Sequence, residues 1–590
     1  MFSDQRNLIL AIVLSLSILL AFEFFYNAPR LQRDAARQQA IEQTLPPRGG
    51  DAAAPSVQRA PGVLPQEGSA PALRPRASTA QQRARQLEQS PRITVASAKL
   101  SGTLALAGGQ IDDILLERYR ERVGPNAPRI TMLSPLGAPH PYYVKFGWTA
   151  ADDGAGPMPS SDTVWQASTS KLTPRTPVTL TWDNGAGLRF ERTIELDQDY
   201  MFTIRQRVKN DGAGSVTLHP YGFIARFDEP PTLGFFILHE GPIGVFDETL
   251  EEHDYDDLED ATNGRIEVAS TGGWIGITDQ YWLTALVPDQ QEAFSGSFNH
   301  TLQEGRDRYQ VDYIGGGRTV APGATIEAVN RVFVGAKEVG VLDRYRDELG
   351  IASFDKAVDF GWFYFLTKPL FYVIAYFYEL LGNFGLAILL LTIIVKIIFF
   401  PLANKSYRAL SAMKKLQPEM MKLRDRYKDD RQRLNQEMMA LYKKEKANPL
   451  AGCLPIAVQI PVFFALYKVL FVSIEMRHAP FWGWIQDLSA PDPTSIFNLF
   501  GLIPWDPPSF MMIGLWPIIM GGSMFLQQKL NPAPPDPIQA KIFMLLPFFF
   551  TVLLAAFPAG LVIYWTWNNI LSIAQQWVIM KREGVVNPVS

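Results

Sequence analysis

A single lysine interrupts an apolar stretch in the last third of the chain. Residues 384–400 are apolar apart from Gly385, Thr392 and Lys396, and a helix of that length nearly crosses a hydrocarbon core of about 30 Å. A lysine within a span costs about 2.5–3.5 kcal/mol, so intramembrane cations mark functional sites. Because Pro401 follows soon after, a side chain that snorkels to the interface fits equally well. The stretch therefore predicts a transmembrane helix with a functional or a snorkelling cation.

Further polar side chains lie in the apolar segments that follow. Asn568, Ser572 and Gln575 are spaced by four and three residues, so they share a helix face with Trp565. This stripe predicts either interhelical hydrogen bonds, worth about 0.6–2 kcal/mol each, or a water-accessible groove with a positive charge at its floor. The side chains assigned to the groove are Lys396, Thr392, Gln459, Gln528, Tyr564, Trp565 and Asn568.

Apolar stretches predict six membrane-spanning helices. Residues 8–25 are longer than a signal-peptide core, and no cleavage pattern follows, so residues 1–27 are predicted to be an uncleaved anchor. Residues 542–580 are too long for one helix, and the FPAG sequence at 557–560 divides them into two short spans. The other predicted spans are 383–402, 448–472 and 508–527. The fold class is therefore a multi-domain protein with a polytopic α-helical membrane bundle.

The chain between the anchor and the bundle has a different composition. Residues 28–90 are rich in Pro, Ala, Gln, Arg and Gly, which is typical of a flexible linker. Residues 91–350 carry alternating apolar runs separated by Asn-Gly, Asp-Gly and Gly-Gly signals, which predict a large all-β sandwich with a short helix at 339–350. Residues 355–381 are rich in aromatics and broken by Lys-Pro, so they predict an interfacial amphipathic helix rather than a span.

The membrane domain, residues 382–582, contains one strongly basic segment. Residues 401–448 hold 13 Lys or Arg and 6 Asp or Glu, a net charge of +7, and the positive-inside rule places them in the cytoplasm. Apolar residues spaced by three and four predict two helices paired in an antiparallel hairpin. The side chains predicted to contact hydrophobic chains are Met413, Leu416, Met420 and Leu423.

The membrane topology is predicted from that cytoplasmic segment, because each predicted span moves the chain to the other side of the membrane. The N-terminus and the short tail, residues 583–590, are predicted to be cytoplasmic, and the β-domain lies on the outer side. The positive charges that directly follow the first predicted span argue against placing that end of the span outside the cytoplasm; they are Arg30, Arg33 and Arg37. Long exported domains translocate largely regardless of such charges, so the hairpin signal decides the prediction.

Several kinds of site are not predicted. Cys453 is the only cysteine, which excludes disulfides and cysteine-based metal sites within the chain. The histidines of the β-domain are isolated, without HxH or HExxH spacing, and the acidic run at 251–260 predicts a solvated charged loop rather than a cation site. We therefore expect no metal, no cofactor, no enzymatic chemistry and no sequence-specific binding of nucleic acid.

The membrane domain resembles a known family over residues 355–580. The resemblance rests on NPLAGCLPIAVQIPVFFALYKVLF, RLNQEMMALYKKEKANP, GGSMFLQQKLNP and FPAGLVIYW, which are similar to the YidC family of membrane protein insertases. It implies a bacterial inner-membrane insertase and chaperone with a periplasmic β-domain. It also implies a hydrophilic groove in which Lys396 stands at an arginine position, Thr392 at a functional threonine and Trp565 at a groove aromatic.

The resemblance also implies partners. These are nascent membrane proteins, the lipid bilayer, the Sec translocon and the ribosome, the last through cytoplasmic loops because the tail has few basic residues. Lysine at position 396 keeps the charge but lacks the planar fork of arginine, so attraction without bidentate binding is expected. The alternatives are a polar-lined channel or transporter, and an anchored carbohydrate-active enzyme or binder.

Overall fold

A computed structural model describes residues 79–151, 155–232, 238–361, 363–427, 430–445, 454–503, 505, 507–508, 511–531 and 537–584. The predicted anchor, the linker up to residue 78 and most of the C-terminal tail lie outside the described residues. The described residues, apart from 302–306, belong to one compact unit.

Two antiparallel-rich sheets form the first part of the described chain. The strands are β1 (Arg92–Ala96), β2 (Leu100–Ala105), β3 (Gln110–Arg120), β4 (Arg129–Leu133), β5 (Tyr142–Ala150), β6 (Gln166–Ala167), β7 (Lys171–Leu172), β8 (Val178–Asp183), β9 (Leu188–Leu196), β10 (Met201–Asn210), β11 (Val216–Phe227), β12 (Gly241–Phe246), β13 (Thr249–Glu252), β14 (Arg265–Thr271), β15 (Trp274–Thr278), β16 (Trp282–Val287), β17 (Ala293–Gln303), β18 (Arg306–Gly315), β19 (Arg318–Val320) and β20 (Thr325–Ala336). An 11-stranded sheet has the order β14-β17-β18-β11-β5-β3-β2-β1-β7, with β19 beside β11 and β4 beside β3. A 9-stranded sheet has the order β13-β12-β15-β16-β20-β10-β9-β8-β6.

Period-two patterning places the core between the sheets. In β9 every second residue is buried, including Phe190 and Ile194, and β10 buries Ile204 and Val208 in the same way. A strand points alternate side chains to opposite faces, so such a pattern buries one face of each sheet. The predicted β-sandwich is confirmed.

Most of the described helices follow the sandwich, whereas α1 precedes it and α2 lies between two of its strands. Their bounds are α1 (Thr79–Leu87), α2 (Tyr255–Asp260), α3 (Val339–Glu348), α4 (Tyr364–Leu381), α5 (Phe384–Ile398), α6 (Phe400–Arg426), α7 (Arg431–Lys444), α8 (Leu454–Val472), α9 (Leu515–Leu530), α10 (Pro537–Leu553) and α11 (Ala559–Arg582). None of the described helices is by itself both long and apolar enough to cross a membrane, whereas α5 and α6 meet that criterion together, with a bend of 70° between them. The number of spans stays a prediction.

Two segments differ from the sequence interpretation. Residues 79–87, assigned to the linker, form α1, and Arg83 in that helix pairs with Asp113 of β3. The acidic run at 251–260 is not a loop, because it contains the end of β13 and α2, whose Tyr255 and Leu258 are buried. A contact with distant strands stabilises each segment, and composition does not report such contacts.

Helix α4 has one buried face and one exposed apolar face. It continues through Pro369, so the predicted break is wrong, and its buried face contains Phe371 and Ile374 while Phe365 is 75% exposed. It ends because Gly382 adopts a left-handed conformation (φ 66°), which glycine tolerates without a steric penalty. One apolar face is thus left exposed, as expected for a helix at a membrane surface.

A buried carboxyl joins the sandwich to the helical region. Glu475 lies in a 3₁₀ turn, Ile474–Met476, just after α8, and its Oε1 accepts a hydrogen bond from the Val339 backbone nitrogen at 2.9 Å. Val339 is the first residue of α3, where a helix leaves donors unpaired. Next to it, Lys99 Nζ lies 2.6 Å from Glu338 Oε2. The turn therefore stabilises the start of α3 from outside the β-domain.

We expect this junction to respond to pH. Burial, assisted by the nearby Glu338, raises the pKa of Glu475 from 4.5 to about 7. The protonated Glu475 side chain therefore makes its full contribution to the unfolding free energy below pH 4.5, and this contribution is lost as the pH rises to about 7. Relative to Glu475→Gln, the wild type should lose up to about 3 kcal/mol of unfolding free energy across that interval. Unfolding of the full chain at a series of pH values measures this, and a constant difference between the two proteins would contradict it.

Candidate functional site

A cleft lies between the bent pair α5–α6 and the last helix, α11. Its volume is about 490 Å³. Apolar side chains from both walls line most of it, including Ile393, Phe400 and Val578. Its polar lining consists of Lys396, Asn404, Arg408, Gln575, Arg582 and Glu583. The cleft is thus an apolar groove with a row of cationic and amide groups.

Lys396 is held in the wall of this cleft by the facing helix. Its Nζ donates a hydrogen bond to Ser572 Oγ at 2.6 Å, and Ser572 Oγ donates to the Asn568 backbone oxygen at 2.7 Å. Lys396 is half-buried, whereas Ser572 and Asn568 are buried. A hydroxyl orients the ammonium without neutralising it, so the charge remains available to a ligand.

The local sequence explains how Lys396 reaches this position. The Asn383 side chain accepts a hydrogen bond from the Leu386 backbone nitrogen at 3.1 Å and so caps the start of α5. Pro401 stands in the first turn of α6, where its missing N–H has no cost, and it favours a new helix over continuation of α5. The bend therefore places Lys396 in the last turn of α5, beside the start of α6.

Thr392 and Asn568 lie next to this centre but do not line the cleft. Thr392 is buried, and its Oγ1 donates to the Ile388 backbone oxygen of its own helix at 2.7 Å. Asn568 is linked to Lys396 only through Ser572. Among the described residues, the Asn568 Oδ1 atom is buried without a hydrogen-bond partner.

The other four predicted groove residues lie elsewhere in the helical region. Gln459 Nε2 donates to the Tyr564 hydroxyl, and the two side chains join α8 to α11. Trp565 packs edge-on against Phe463, with ring centroids 4.7 Å apart. Gln528 is half-buried near the end of α9. Gln459, Tyr564 and Trp565 thus connect α8 to α11, and none of the four residues is among those that line the cleft.

Asn404, Arg408 and Glu583 are cleft residues that the sequence interpretation missed. Phe400, Asn404 and Arg408 follow one another at intervals of four, which places them on one face of α6. That spacing was visible in the sequence, but the positions were assigned to a solvated hairpin. Glu583 follows the last residue of α11, where no periodic pattern identifies it.

The predicted hairpin contact residues pack mainly against the hairpin itself. Met420 of α6 is buried against Met438 and Leu441 of α7. Leu416 and Leu423 border the same cluster, and Met413 is half-buried outside it. Two methionines beside this cluster are free to contact other molecules, because Met421 and Met439 are 55% and 54% exposed.

One cluster of metal-ligand side chains occurs in the described part of the β-domain. Ligand atoms of Glu259, His300 and Asp307 lie within 4.8 Å of one another. They bind neighbouring protein groups, with His300 Nε2 2.9 Å from Asp307 Oδ1 and the Tyr309 hydroxyl donating to Glu259 Oε1 at 2.7 Å. Sequence spacing did not identify the cluster because α2, β17 and β18 each contribute to it. The absence of a metal stays a prediction.

Both parts of the chain are similar to known proteins. The family model described as "YidC periplasmic domain" matches residues 92–373, and that described as "60Kd inner membrane protein" matches residues 376–585. The protein named "Membrane protein insertase YidC" from Methylobacterium nodulans is 50% identical over 99% of this chain and 96% of its own length. The protein of that name from Rhizobium meliloti is 49% identical over 99% and 96%.

A solved structure, an active YidC insertase with its first transmembrane domain resolved, covers 82% of this chain and 92% of its own, at 17% identity and a TM-score of 0.35. Family membership rests on the sequence matches rather than on this superposition. Half of all positions are identical across nearly the full length of both chains, and the two family models cover the sandwich and the helical region in order. The chain therefore belongs to the YidC family of membrane protein insertases.

Proposed function

We propose that this inner-membrane protein inserts membrane proteins by lowering the cost of moving their polar segments past the hydrocarbon core. The observation that carries this proposal is the Lys396 ammonium, held by Ser572 in the wall of a cleft with apolar and polar lining. An apolar groove with one oriented cation suits a segment that is partly apolar and carries acidic groups. No covalent step is required.

The energetics of this proposal follow from solvation. A polar group transferred without a hydrogen bond to an apolar medium costs about 2–7 kcal/mol, and an ionised carboxylate costs far more. Attraction to Lys396 offsets part of that cost for an acidic substrate segment. The apolar helix of the substrate then partitions into lipid, at about 0.8 kcal/mol per buried CH₂. Release is therefore driven by the substrate itself.

The proposed topology places the opening of the cleft toward the cytoplasm. Arg408 and Arg582 lie at the part of the cleft formed by α6 and the end of α11. The positive-inside rule supports a cytoplasmic location for both, with the N- and C-termini inside and six spans in total. Partners in this scheme are nascent chains, the Sec translocon and ribosomes, the last contacting the cytoplasmic loops.

We further propose that the hairpin of α6 and α7 receives the nascent chain through its exposed methionines. Methionine side chains adapt to varied apolar partners, and Met421 and Met439 are available whereas Met420 and Met438 are buried. A photo-cross-linker at position 421 or 439 should therefore give several times more adduct with a nascent membrane protein than one at position 420 or 438. Equal yields at exposed and buried positions would contradict a receiving role.

A reconstitution experiment tests the proposed function against a channel. The purified full chain in liposomes should insert a single-span test protein, scored by protease protection, without passing ions or small solutes. Lys396→Ala serves as the matched variant, and empty liposomes give the background. Solute flux without insertion would replace the proposal with a polar-lined channel or transporter.

A further inference from the structure

A row of polar side chains extends the cleft from Lys396 along α6. Asn404 and Arg408 follow Phe400 at intervals of four residues, so they share one helix face and are separated by about 6 Å of rise. All three line the same cleft as Lys396. One wall thus presents two cations, with the Asn404 amide between them.

The opposite wall contributes an amide that lacks an acceptor. Gln575 lines the cleft from α11, and within the part of the chain that the structure describes its Nε2 is buried without a hydrogen-bond partner. An unpaired buried donor costs about 1–3 kcal/mol, so a ligand that supplies an acceptor gains affinity here. A carboxylate accepts from an amide and from cations together.

Arg408 already binds one carboxylate of the chain. Its Nε lies 3.4 Å from Glu583 Oε1, and the two side chains are 63% and 39% exposed. The Lys415 amine donates to the Glu583 backbone oxygen and holds this residue in place. Exposed ion pairs contribute little net stability, so another carboxylate displaces Glu583 at small cost.

We propose that Arg408 is a specificity-determining residue of the cleft, which receives acidic side chains of the translocated segment before Lys396 does. Glu583 occupies Arg408 until a substrate carboxylate replaces it, so the two carboxylates compete for the same guanidinium. This inference rests on the proposed function.

The test uses two single-span substrates that differ only in having aspartates or asparagines at the same positions of the translocated segment. Insertion is measured in cells depleted of the resident insertase and rescued by each variant. Arg408→Ala should lower insertion of the aspartate substrate about threefold relative to the asparagine substrate. Arg408→Lys should keep the preference, and Glu583→Gln should raise insertion of the aspartate substrate.

Lys405→Ala is the matched control, because Lys405 is an exposed cation of the same helix and is not among the residues that line the cleft. It should affect both substrates alike. The role of Arg408 would be overturned if Arg408→Ala affected both substrates equally, or if Lys405→Ala reduced the preference for the aspartate substrate as much as Arg408→Ala does. Neither result would contradict the proposed insertase function. If the wild type rescued neither substrate, the proposed function would fail together with this inference.

Discussion

Lys396→Glu is expected to reduce insertion of substrates with acidic translocated segments by more than about tenfold. Two unit charges about 4 Å apart interact by about 4 kcal/mol at an effective dielectric constant of 20, and this substitution turns attraction into repulsion. Ser572 then faces a carboxylate in place of the ammonium it now binds. The effect is measured in cells that are depleted of their resident insertase and express the variant, with insertion scored by protease protection of the test protein.

The companion variants separate charge from shape. Lys396→Arg should retain insertion because it keeps the cation, and Lys396→Ala should fall between the wild type and Lys396→Glu. Lys405→Glu reverses an exposed charge outside the cleft and should leave insertion close to the wild-type level. Equal rescue by all Lys396 variants would mean that this residue only snorkels to the interface.

Lys368→Ala is expected to destabilise the junction of α3 with α4 by about 3 kcal/mol, the lower end of the cost of breaking a buried ion pair. Lys368 Nζ lies 2.7 Å from Asp343 Oδ1 and 2.6 Å from Asp355 Oδ2, and it donates to the Tyr364 hydroxyl at 2.7 Å. Its side chain is 11% exposed. Although burial alone would lower the pKa of Lys368, these hydrogen bonds raise it, so the ammonium is the form present in the folded protein. Among the described residues, removing it leaves Arg346, whose side chain is 35% exposed, as the cation that still contacts these two largely buried carboxylates.

Unfolding of the full chain in detergent measures this loss. Lys356→Ala is the control, since within the described residues the Lys356 amine makes an exposed hydrogen bond, to the Glu248 backbone oxygen at 3.2 Å. Removing Asp343 and Asp355 together with Lys368 should recover part of the lost stability, because no buried carboxylate then lacks its closest cation. A Lys368→Ala protein as stable as Lys356→Ala would show that the cluster contributes no net stability.

Local patterns predicted the secondary structure well where one face of an element is buried. The alternation in β9 and β10 identified strands, and the segment at 339–350 contains the helix α3. The turn at FPAG also appears, since α11 begins at Ala559 after a break at Phe557. Each of these features depends on residues close together in sequence, which is why the sequence alone could predict them.

The arrangement of the candidate site was less predictable. Sequence reasoning grouped Lys396 with Gln459 and Tyr564 because all are polar groups in apolar segments. The structure pairs Gln459 with Tyr564 and aligns Lys396 with Asn404 instead, because the 70° bend after Ile398 brings the start of α6 alongside α11. A bend angle depends on tertiary packing, which the periodicity of one helix does not contain.

Charge reversal on both partners tests the central claim most directly. Insertion is measured for substrates with acidic or basic translocated segments in cells rescued by wild type or Lys396→Glu. Attraction within the cleft predicts that the wild type prefers the acidic segment and that Lys396→Glu prefers the basic one. If Lys396→Glu lowered insertion of both substrates equally, or of neither, the charge at position 396 would not be acting on the translocated segment.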